Sequence, residues 1–273
     1  MTLALDFDAA AVAQEMADAA RAAIWPHFRA LKRIENKQSD GAFDPVTEAD
    51  RAAERAMREV LARHRPNDGI HGEEYGVTNG STGWTWVLDP IDGTRAFVAG
   101  LTNWVTLIGL TDQSGNAVFG LIDQPILDER YIGSSDGSFL RQAGQTIPLR
   151  VSACDDLRQA VISTTDPFIL SAPEQGAWSH LRQTAKIIRY GLDAYAYARL
   201  AAGTIDLVAE SGLAPYDAAA LIPIVRGAGG MACDWHGHPA KPGGQLVCAS
   251  HPDLLEQALI ALTRAATSRV ART

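Results

Sequence analysis

The segment 84–100 (WTWVLDPIDGTRAFVAG) constrains the fold most, because it places two acids directly after a short apolar run. Residues 84–88 are typical of a buried strand, and Asp89 and Asp92 follow three positions apart. Burying carboxylates without partners is strongly unfavourable, so a cation is the expected partner of this pair. Pro90 and the glycine after Asp92 predict that the strand breaks here and the backbone bends.

The next two residues suit an anion. Gly93 and Thr94 supply backbone N–H groups and a hydroxyl that can face a phosphate. Carboxylates for a hard cation beside donors for a phosphate are the components of metal-assisted phosphoryl chemistry. The segment therefore predicts a site for both groups at the end of a strand.

The composition is that of a globular protein, with 273 residues, 47% hydrophobic and 21% charged. This length favours one large domain over 1–273, or two intimate halves of about 1–150 and 151–273. A formal net charge of −8 argues against nucleic-acid binding but not against a small phosphorylated substrate. The three cysteines are widely spaced and odd in number, so neither a disulfide framework nor a zinc site is expected.

The N-terminal residues do not match a signal peptide, because Asp6 and Asp8 fall where the apolar core of such a peptide would be. No apolar run reaches the roughly 18 residues of a membrane helix. The cysteine usage indicates a reducing compartment. We therefore expect a cytoplasmic protein without a membrane partner.

Strands and helices interleave along the chain, with antiparallel hairpins in the middle. We therefore predict an α/β (α+β) layered sandwich rather than a doubly wound parallel fold. Apolar spacing predicts helices, the first perturbed by Pro26, at 8–31, 49–64, 193–202, 215–228 and 252–266. β-rich runs predict strands within 67–76 and at 84–88, 104–111, 117–123, 130–133, 138–141, 160–164, 187–190 and 205–210.

Further acids stand at the ends of predicted elements. Asp50 and Asp217 each lie in the first turn of a helix, where an acid also interacts favourably with the helix dipole or caps the helix. Glu73 and Glu74 are adjacent, and successive strand residues point to opposite faces. We therefore expect one of them, Glu73, to share a site with Asp89.

Three segments in this order, GEEYG, WVLDPIDGTRAF and APYDAAALIPIVRGAGG, with DPVTEAD upstream, resemble the inositol monophosphatase superfamily of magnesium-dependent, lithium-sensitive phosphatases. The resemblance covers about 37–230, and the pairing of DPIDGT with YDAAA is specific. It implies the inositol monophosphatase / fructose-1,6-bisphosphatase-like fold. It also implies two or three Mg²⁺ ions and, as a family expectation, a homodimer.

The resemblance implies a metal-ligand set. Glu73, Asp89 and the carbonyl of Ile91 would hold the first Mg²⁺, and Asp89, Asp92 and Asp217 the second. Water would attack the phosphate in line, without a phosphoenzyme. The implied catalytic group is Asp50, with a weakly bound third ion, together with Thr47, Thr94 and Glu73.

The resemblance also implies that the N–H groups of Gly93 and Thr94 bind the phosphate. The family has a lysine near Lys37, but two extra residues separate it from Asp50. We therefore interpret Lys37 as solvated and leave its role open. Trp104, which follows DPIDGT closely, is the tryptophan expected to reach the site.

The runs DPIDGTRAFVAGL and RYGLDAYAYARLAAGTIDLVAESGLAPYDAAALIP resemble the histidinol-phosphate phosphatase branch. A cationic substrate needs an acid in the pocket, and Asp193 and Glu210 are available. For Asp193 the alternative is the N-cap of helix 194–202, and for Glu210 an exposed acid. Arg189 could steer the phosphate or pair with Asp193. The implied substrate contacts are Asp92, Gly93, Thr94, Arg95, Asp193, Glu210 and Asp217.

The sequence therefore predicts a Mg²⁺-dependent phosphomonoesterase that hydrolyses L-histidinol phosphate in histidine biosynthesis. Three alternatives stay open: an inositol-1-monophosphatase, a broad-specificity sugar or nucleotide phosphatase of the same superfamily, and a catalytically silent regulatory relative. Against the silent relative, all five ligand-type acids are present.

Overall fold

A computed structural model describes residues 8–30, 35–36, 45–46 and 48–270. Thr47 and Lys37 lie outside the described residues. The helices, in chain order, are α1 Ala9–Ile24, α2 Glu48–His64, α3 Thr94–Val98, α4 Ala172–Thr184, α5 Tyr195–Ala201, α6 Pro215–Ala218, α7 Leu221–Gly227 and α8 Pro252–Val270, with a 3₁₀ turn at Leu157–Gln159. No helix in the described part of the chain is long and apolar enough to cross a membrane.

The strands form three sheets. A two-stranded sheet contains β1 Glu35–Asn36 and β2 Pro45–Val46. The eight-stranded sheet contains β3 Gly69–Gly72, β4 Gly76–Thr78, β5 Thr85–Asp92, β6 Val105–Thr111, β7 Ala117–Gln124, β8 Glu129–Ser134, β9 Gly137–Gln142 and β10 Gln145–Pro148. The five-stranded sheet contains β11 Val161–Thr164, β12 Ile187–Tyr190, β13 Leu207–Leu213, β14 Met231–Cys233 and β15 Gly244–Ala249.

The large sheet has the order β10-β9-β8-β7-β6-β5-β3-β4 and is antiparallel except where β3 runs parallel to β5. The smaller sheet has the order β12-β11-β13-β15-β14. Its first three strands are parallel and the other pairings are antiparallel. Both sheets are thus mixed, whereas the sequence indicated antiparallel hairpins in the middle only.

Alternating side chains of the sheets separate three hydrophobic layers. In the large sheet, Ile108 and Leu121 pack toward α1 and α2, whereas Leu107 and Ile122 pack toward α5 and α7. In the smaller sheet, Val208 joins the α5–α7 layer, and its neighbours join the layer of α4 and α8. The order helix–sheet–helix–sheet–helix confirms the predicted α/β layered sandwich. The division into halves of about 1–150 and 151–273 stays a prediction.

A row of glycines crosses the large sheet under α6 and α7. Gly109, Gly120 and Gly133 pair with one another on β6, β7 and β8. A Cβ on Gly120 would lie 2.0 Å from the carbonyl oxygen of Ala220, and one on Gly133 would lie 2.4 Å from a helix Cα atom. The glycines therefore let the helix backbone rest directly on the sheet, and this contact sets the height of α6 above β5.

Prolines explain two corrections to the predicted helices. The helix predicted over 8–31 ends at Ile24, because Pro26 has no N–H to continue the helical bonding. The helix predicted over 215–228 is two helices, because Pro223 cannot donate to the carbonyl of Ala219.

The predicted strand break at Pro90 is wrong, because β5 continues to Asp92. The pairing of β5 with β6 shifts between Asp89 and Asp92, which is a bulge. A bulge leaves a residue without a ladder donor, so it tolerates proline. The carbonyl of Pro90 is bound by the Thr106 hydroxyl at 2.7 Å. The bulge re-aims the end of the strand, so that both acids stay on one ordered element.

Candidate active site

The parallel pairing of β3 with β5 brings the first acids together. Gly72 lies opposite Leu88, so the residues that follow them, Glu73 and Asp89, emerge at the same sheet edge. The N–H of Glu73 donates to the carbonyl of Leu88 at 3.1 Å. The Glu73 carboxylate is one of the charges that raise the pKa of Asp89.

Six acids form two groups at this edge. Within each group, one carboxylate oxygen per residue lies within 4.8 Å of the others. The groups are Asp89, Asp92 and Asp217, and Asp50, Glu73 and Glu74. Glu74 also lies 3.6 Å from the guanidinium of Arg51. Both glutamates approach Asp50 because they follow β3 in a turn, where strand alternation no longer applies.

Ionisation is unfavourable for the three carboxylates Asp89, Asp92 and Asp217. Burial raises the pKa of Asp89 well above its usual value, and Glu73, Asp92 and Asp217 raise it further. Burial and the neighbouring Asp193 and Asp217 likewise raise the pKa of Asp92. Burial raises the pKa of Asp217 to about 7, although a hydrogen bond from Ala214 N–H opposes the shift. Ionising all of these carboxylates together is therefore unfavourable unless a cation compensates their charge.

One atom points directly to such a cation. Oδ1 of Asp89 is buried and has no hydrogen-bond partner among the described residues. An unpaired buried carboxylate oxygen is costly, and carboxylate oxygens are the ligands that hard divalent cations prefer. The residues present therefore fit a metal site.

Capping and ligation are compatible in Asp217. Its Oδ2 accepts the N–H of Ala214 at 2.7 Å, so it caps α6. The same carboxylate lies in the group with Asp89 and Asp92. A carboxylate has two oxygens and several lone pairs, so one side chain can do both.

The turn after β5 requires its glycine. Gly93 has φ +83°, a left-handed conformation, and a Cβ there would lie 3.2 Å from Oδ2 of Asp193. The Thr94 hydroxyl donates to the carbonyl of Ile91 at 3.0 Å. Gly93, Thr94 and Ile91 therefore lie beside the acids, and their roles in binding phosphate and metal stay predictions.

Two cavities adjoin each other near the acids, and the smaller one is lined by two of these acids. A cavity of about 190 Å³ is lined by Asp92, Asp193, Glu210 and Asp217. A wider cavity of about 670 Å³ is lined among others by Arg95, Phe168 and Tyr190. Both cavities share Thr165 and Asp193. The acids therefore lie next to a space that can take a small organic molecule.

Asp193 does not cap a helix. It has φ +49°, and α5 begins two residues later without a side-chain cap. Burial raises the pKa of Asp193, and Arg95 and a hydrogen bond with Thr165 oppose the shift. The capping alternative for Asp193 is therefore wrong.

Glu210 is buried rather than exposed, so its alternative interpretation is also wrong. Its Oε1 accepts the N–H of Thr165 at 2.8 Å and the Thr165 hydroxyl, and its Oε2 accepts the Tyr197 hydroxyl at 3.3 Å. Burial raises the pKa of Glu210 to about 7. The sequence interpretation missed Thr165, which no local motif distinguishes.

Three further residues that the sequence suggested for the site lie in different surroundings from one another. Arg95 is exposed and lies 3.8 Å from Asp166 at the wider cavity. Arg189 is exposed and forms no ion pair with Asp193 in the described structure. Trp104 lines neither cavity: its indole is fully buried, and its ring centroid lies 5.1 Å from that of Phe97.

The chain is similar to a known protein family and to several of its members. The model of the inositol monophosphatase family matches residues 8–268. The chain is 41% identical to the bifunctional phosphatase IMPL2, chloroplastic, of Arabidopsis thaliana, over 93% of this chain and 74% of that protein. It is 36% identical to the histidinol-phosphatase of Streptomyces coelicolor, over 89% of this chain and 94% of the relative.

A solved structure of an inositol monophosphatase from Zymomonas mobilis has the same fold, with a TM-score of 0.81 and 39% identity. The match covers 93% of this chain and 96% of that one. The sequence resemblance is thereby confirmed, and the acids at the sheet edge lie in a fold that is shared with phosphatases. The chain belongs to the inositol monophosphatase family.

Proposed function

We propose that this phosphatase is Mg²⁺-dependent and hydrolyses L-histidinol phosphate to L-histidinol and phosphate. One observation carries the choice of substrate: Asp193 and Glu210 add two carboxylates to the cavity wall beside the metal-type acids. Burial disfavours the charge of both carboxylates, and Asp193 disfavours that of Glu210 further. A substrate with an ammonium and an imidazole beside its phosphate supplies the missing positive charge.

The metal-ligand set is part of this proposal. Glu73, Asp89 and the Ile91 carbonyl would hold one Mg²⁺, and Asp89, Asp92 and Asp217 would hold a second. The carbonyl of Ile91 can accept from Thr94 and still offer its other lone pair. When bound, Mg²⁺ lowers the pKa of water and offsets the charge of the phosphate.

The other residues bind and orient. Backbone N–H groups of Gly93 and Thr94 hold the phosphate oxygens. Asp50 and Thr94 orient the attacking water, with Thr47 as a further predicted contact. Asp193 and Glu210 receive the cationic leaving group, and Arg95 lies at the edge of the wider cavity. A homodimer and a cytoplasmic location stay predictions of the sequence.

The test of the substrate is phosphate release with Mg²⁺, comparing L-histidinol phosphate and inositol-1-phosphate by kcat/KM. We expect a preference of about a hundredfold for histidinol phosphate, or roughly 2.7 kcal/mol of transition-state discrimination. Parity, or a preference for inositol phosphate, would favour the inositol monophosphatase alternative, which the Zymomonas mobilis relative supports. No release from either ester would contradict the proposed reaction.

Asp193→Asn should separate the two substrates. The amide keeps a side chain that tolerates φ +49° but removes the negative charge. We expect KM for histidinol phosphate to rise about tenfold, the loss of one charge-assisted contact, and KM for inositol-1-phosphate to change less than about twofold. Asp136→Asn, an exposed acid in the β8–β9 turn, is the control. Equal effects on both substrates would contradict the contact with the ammonium.

The stability of the metal-free protein should fall as the pH rises. The pKa values of Asp217 and Glu210 are raised to about 7, so between about pH 4 and 7 the folded state keeps protons that the unfolded chain has lost. The free energy of unfolding therefore decreases through this window and stays low above it. Without metal, we expect a lower Tm at pH 8 than at pH 5.5.

Mg²⁺ should reverse this loss, because it binds the ionised carboxylates. At a hundredfold excess over its Kd, a ligand stabilises by about 2.7 kcal/mol, or roughly 5–10 °C for a chain of this size. We expect that increase at pH 8 and a much smaller one at pH 5.5. Calorimetry at both pH values measures it, and equal Mg²⁺ effects at both would contradict the assignment.

A further inference from the structure

Glu54 is a charged side chain in the interior of the protein. It lies on α2, four residues after Asp50, and its exposed fraction is 0%. Residues four apart lie on the same face of a helix, so Asp50 and Glu54 both face the sheet edge. A fully buried glutamate is rare unless it is paired, so its partners indicate what it does.

The Glu54 carboxylate binds the turn that carries the two adjacent glutamates. Its Oε2 accepts the N–H of Glu74 at 2.6 Å, and its Oε1 accepts the N–H of Tyr75 at 3.3 Å. Arg58 donates to Oε1 at 2.7 Å and, with its other end, to the carbonyl of Gly76 at 2.6 Å. We call these bonds of Glu54 and Arg58 to the turn the Glu54 clamp. Hydrogen bonds with an ionised partner such as Arg58 are roughly twice as strong as neutral ones, so the clamp holds the turn firmly.

The sequence makes room for this clamp at one position. A Cβ on Gly72 would lie 1.9 Å from Oε1 of Glu54, so only glycine lets the carboxylate reach the turn. Gly72, the first residue of GEEYG, is therefore required for space and not for a flexible backbone. It is the space that Glu54 fills.

The clamp holds Glu73 from both sides. The N–H of Glu73 donates to Leu88 of β5, and the next N–H, that of Glu74, donates to Glu54. Helix α2 therefore sets the position of two acids, Asp50 directly and Glu73 through the turn. Both belong to the same group of carboxylates.

We propose that Glu54 is a positioning residue that sets the Mg²⁺ affinity of the site by fixing the direction of Glu73, without touching the metal. The inference rests on the proposed function, because it takes Glu73 as a metal ligand. Residues that orient ligands typically change metal affinity 10–100-fold when they are replaced. A merely structural bond between α2 and the turn would leave that affinity unchanged.

The experiment compares Glu54→Gln with Glu59→Gln, which removes the same charge at an exposed position of the same helix. Titration calorimetry with Mg²⁺ should show binding weakened at least about tenfold in Glu54→Gln and unchanged in Glu59→Gln. Hydrogen exchange over 70–76 should be faster in Glu54→Gln, because the N–H of Glu74 loses its acceptor. Its kcat should approach that of the parent protein at high Mg²⁺.

An unchanged Mg²⁺ isotherm in a folded Glu54→Gln protein would overturn the proposal, even with faster exchange or a lower Tm. If that variant does not fold, Arg58→Gln decides, because it keeps the carboxylate and frees its orientation. Arg58→Gln should also weaken Mg²⁺ binding, by about threefold or more, and an unchanged affinity would overturn the proposal. If the parent protein released no phosphate from any ester, the proposed function would fail, yet the Mg²⁺ isotherms would still test Glu54.

Discussion

Asp92→Asn is expected to abolish most phosphatase activity while the metal-free protein becomes more stable. Oδ2 of Asp92 accepts the N–H of Ala194 at 2.6 Å, and the amide oxygen of asparagine can accept the same bond. The substitution therefore keeps the packing and removes one charge. Removing a group that stabilises charge in the transition state lowers kcat by on the order of 10²–10³-fold.

The gain in stability has a separate cause. Burial and the carboxylates of Asp193 and Asp217 raise the pKa of Asp92 well above its usual value. At pH 8 without metal, the neutral amide removes this repulsion, and each pKa unit relieved is worth about 1.4 kcal/mol. We therefore expect a Tm at least about 2–4 °C above that of the parent protein, and a Mg²⁺-induced rise in Tm that is largely lost.

Two results would contradict this prediction. Retention of most activity would show that Asp92 is not a ligand. A lower metal-free Tm would show that its charge has an internal partner instead of like-charged neighbours. Asp136→Asn, with the same change in net charge at an exposed turn, should alter neither kcat nor Tm.

The sequence predicted the acids well because each stands in a local motif. Asp89 and Asp92 follow an apolar run, and Asp217 opens a helix after a proline. The structure places all three together. The motifs and the resemblance were sufficient to predict this grouping. Glu54 and Thr165 were missed, because their partners lie 20 and 45 residues away in the chain. Only the fold brings such residues together.

Several elements were missed for reasons that the residues explain. β10 is a fully exposed edge strand without alternation of polar and apolar residues, so periodicity could not find it. α4 begins with Ser171 and Glu174, a capping box whose signal was readable but was overlooked. β15 is a short run that is mostly buried between two strands, and such runs are ambiguous by periodicity alone.

The parallel pairings were beyond local sequence information. The placement of Glu73 and Asp89 at one sheet edge depends on β3 running parallel to β5, with Gly72 opposite Leu88. Pairing of strands separated by a crossover is set by the packing of the whole layer, not by either strand. The motifs therefore predicted that Glu73 and Asp89 share a site. The strand pairing that brings them together follows from the packing of the whole layer.

Gly120→Ala is expected to destabilise the protein strongly, because the added methyl group collides with backbone. The added Cβ would lie 2.0 Å from the carbonyl oxygen of Ala220, and this atom belongs to backbone that cannot rotate away. Overpacking of a core typically costs about 1–3 kcal/mol, and a backbone collision belongs at the upper end. We expect Tm to fall by roughly 6–12 °C.

Gly120→Ala should also weaken metal binding, although Gly120 is not itself a predicted metal ligand. Ala220 follows α6, which carries Asp217, so a helix lifted from the sheet moves Asp217 away from Asp89. Mg²⁺ should bind at least about tenfold more weakly in Gly120→Ala, as measured by titration calorimetry below the Tm.

The matched control is Gly176→Ala in α4, where a Cβ meets nothing within 4 Å. There alanine replaces glycine inside a helix and should stabilise the fold by about 0.5–1 kcal/mol, without changing Mg²⁺ affinity. The same glycine-to-alanine substitution should thus lower the free energy of unfolding at position 120 and raise it at position 176. If Gly120→Ala lowered Tm but left Mg²⁺ binding intact, the glycine row would support the core alone, and the position of Asp217 would be set by its own capping bond to Ala214.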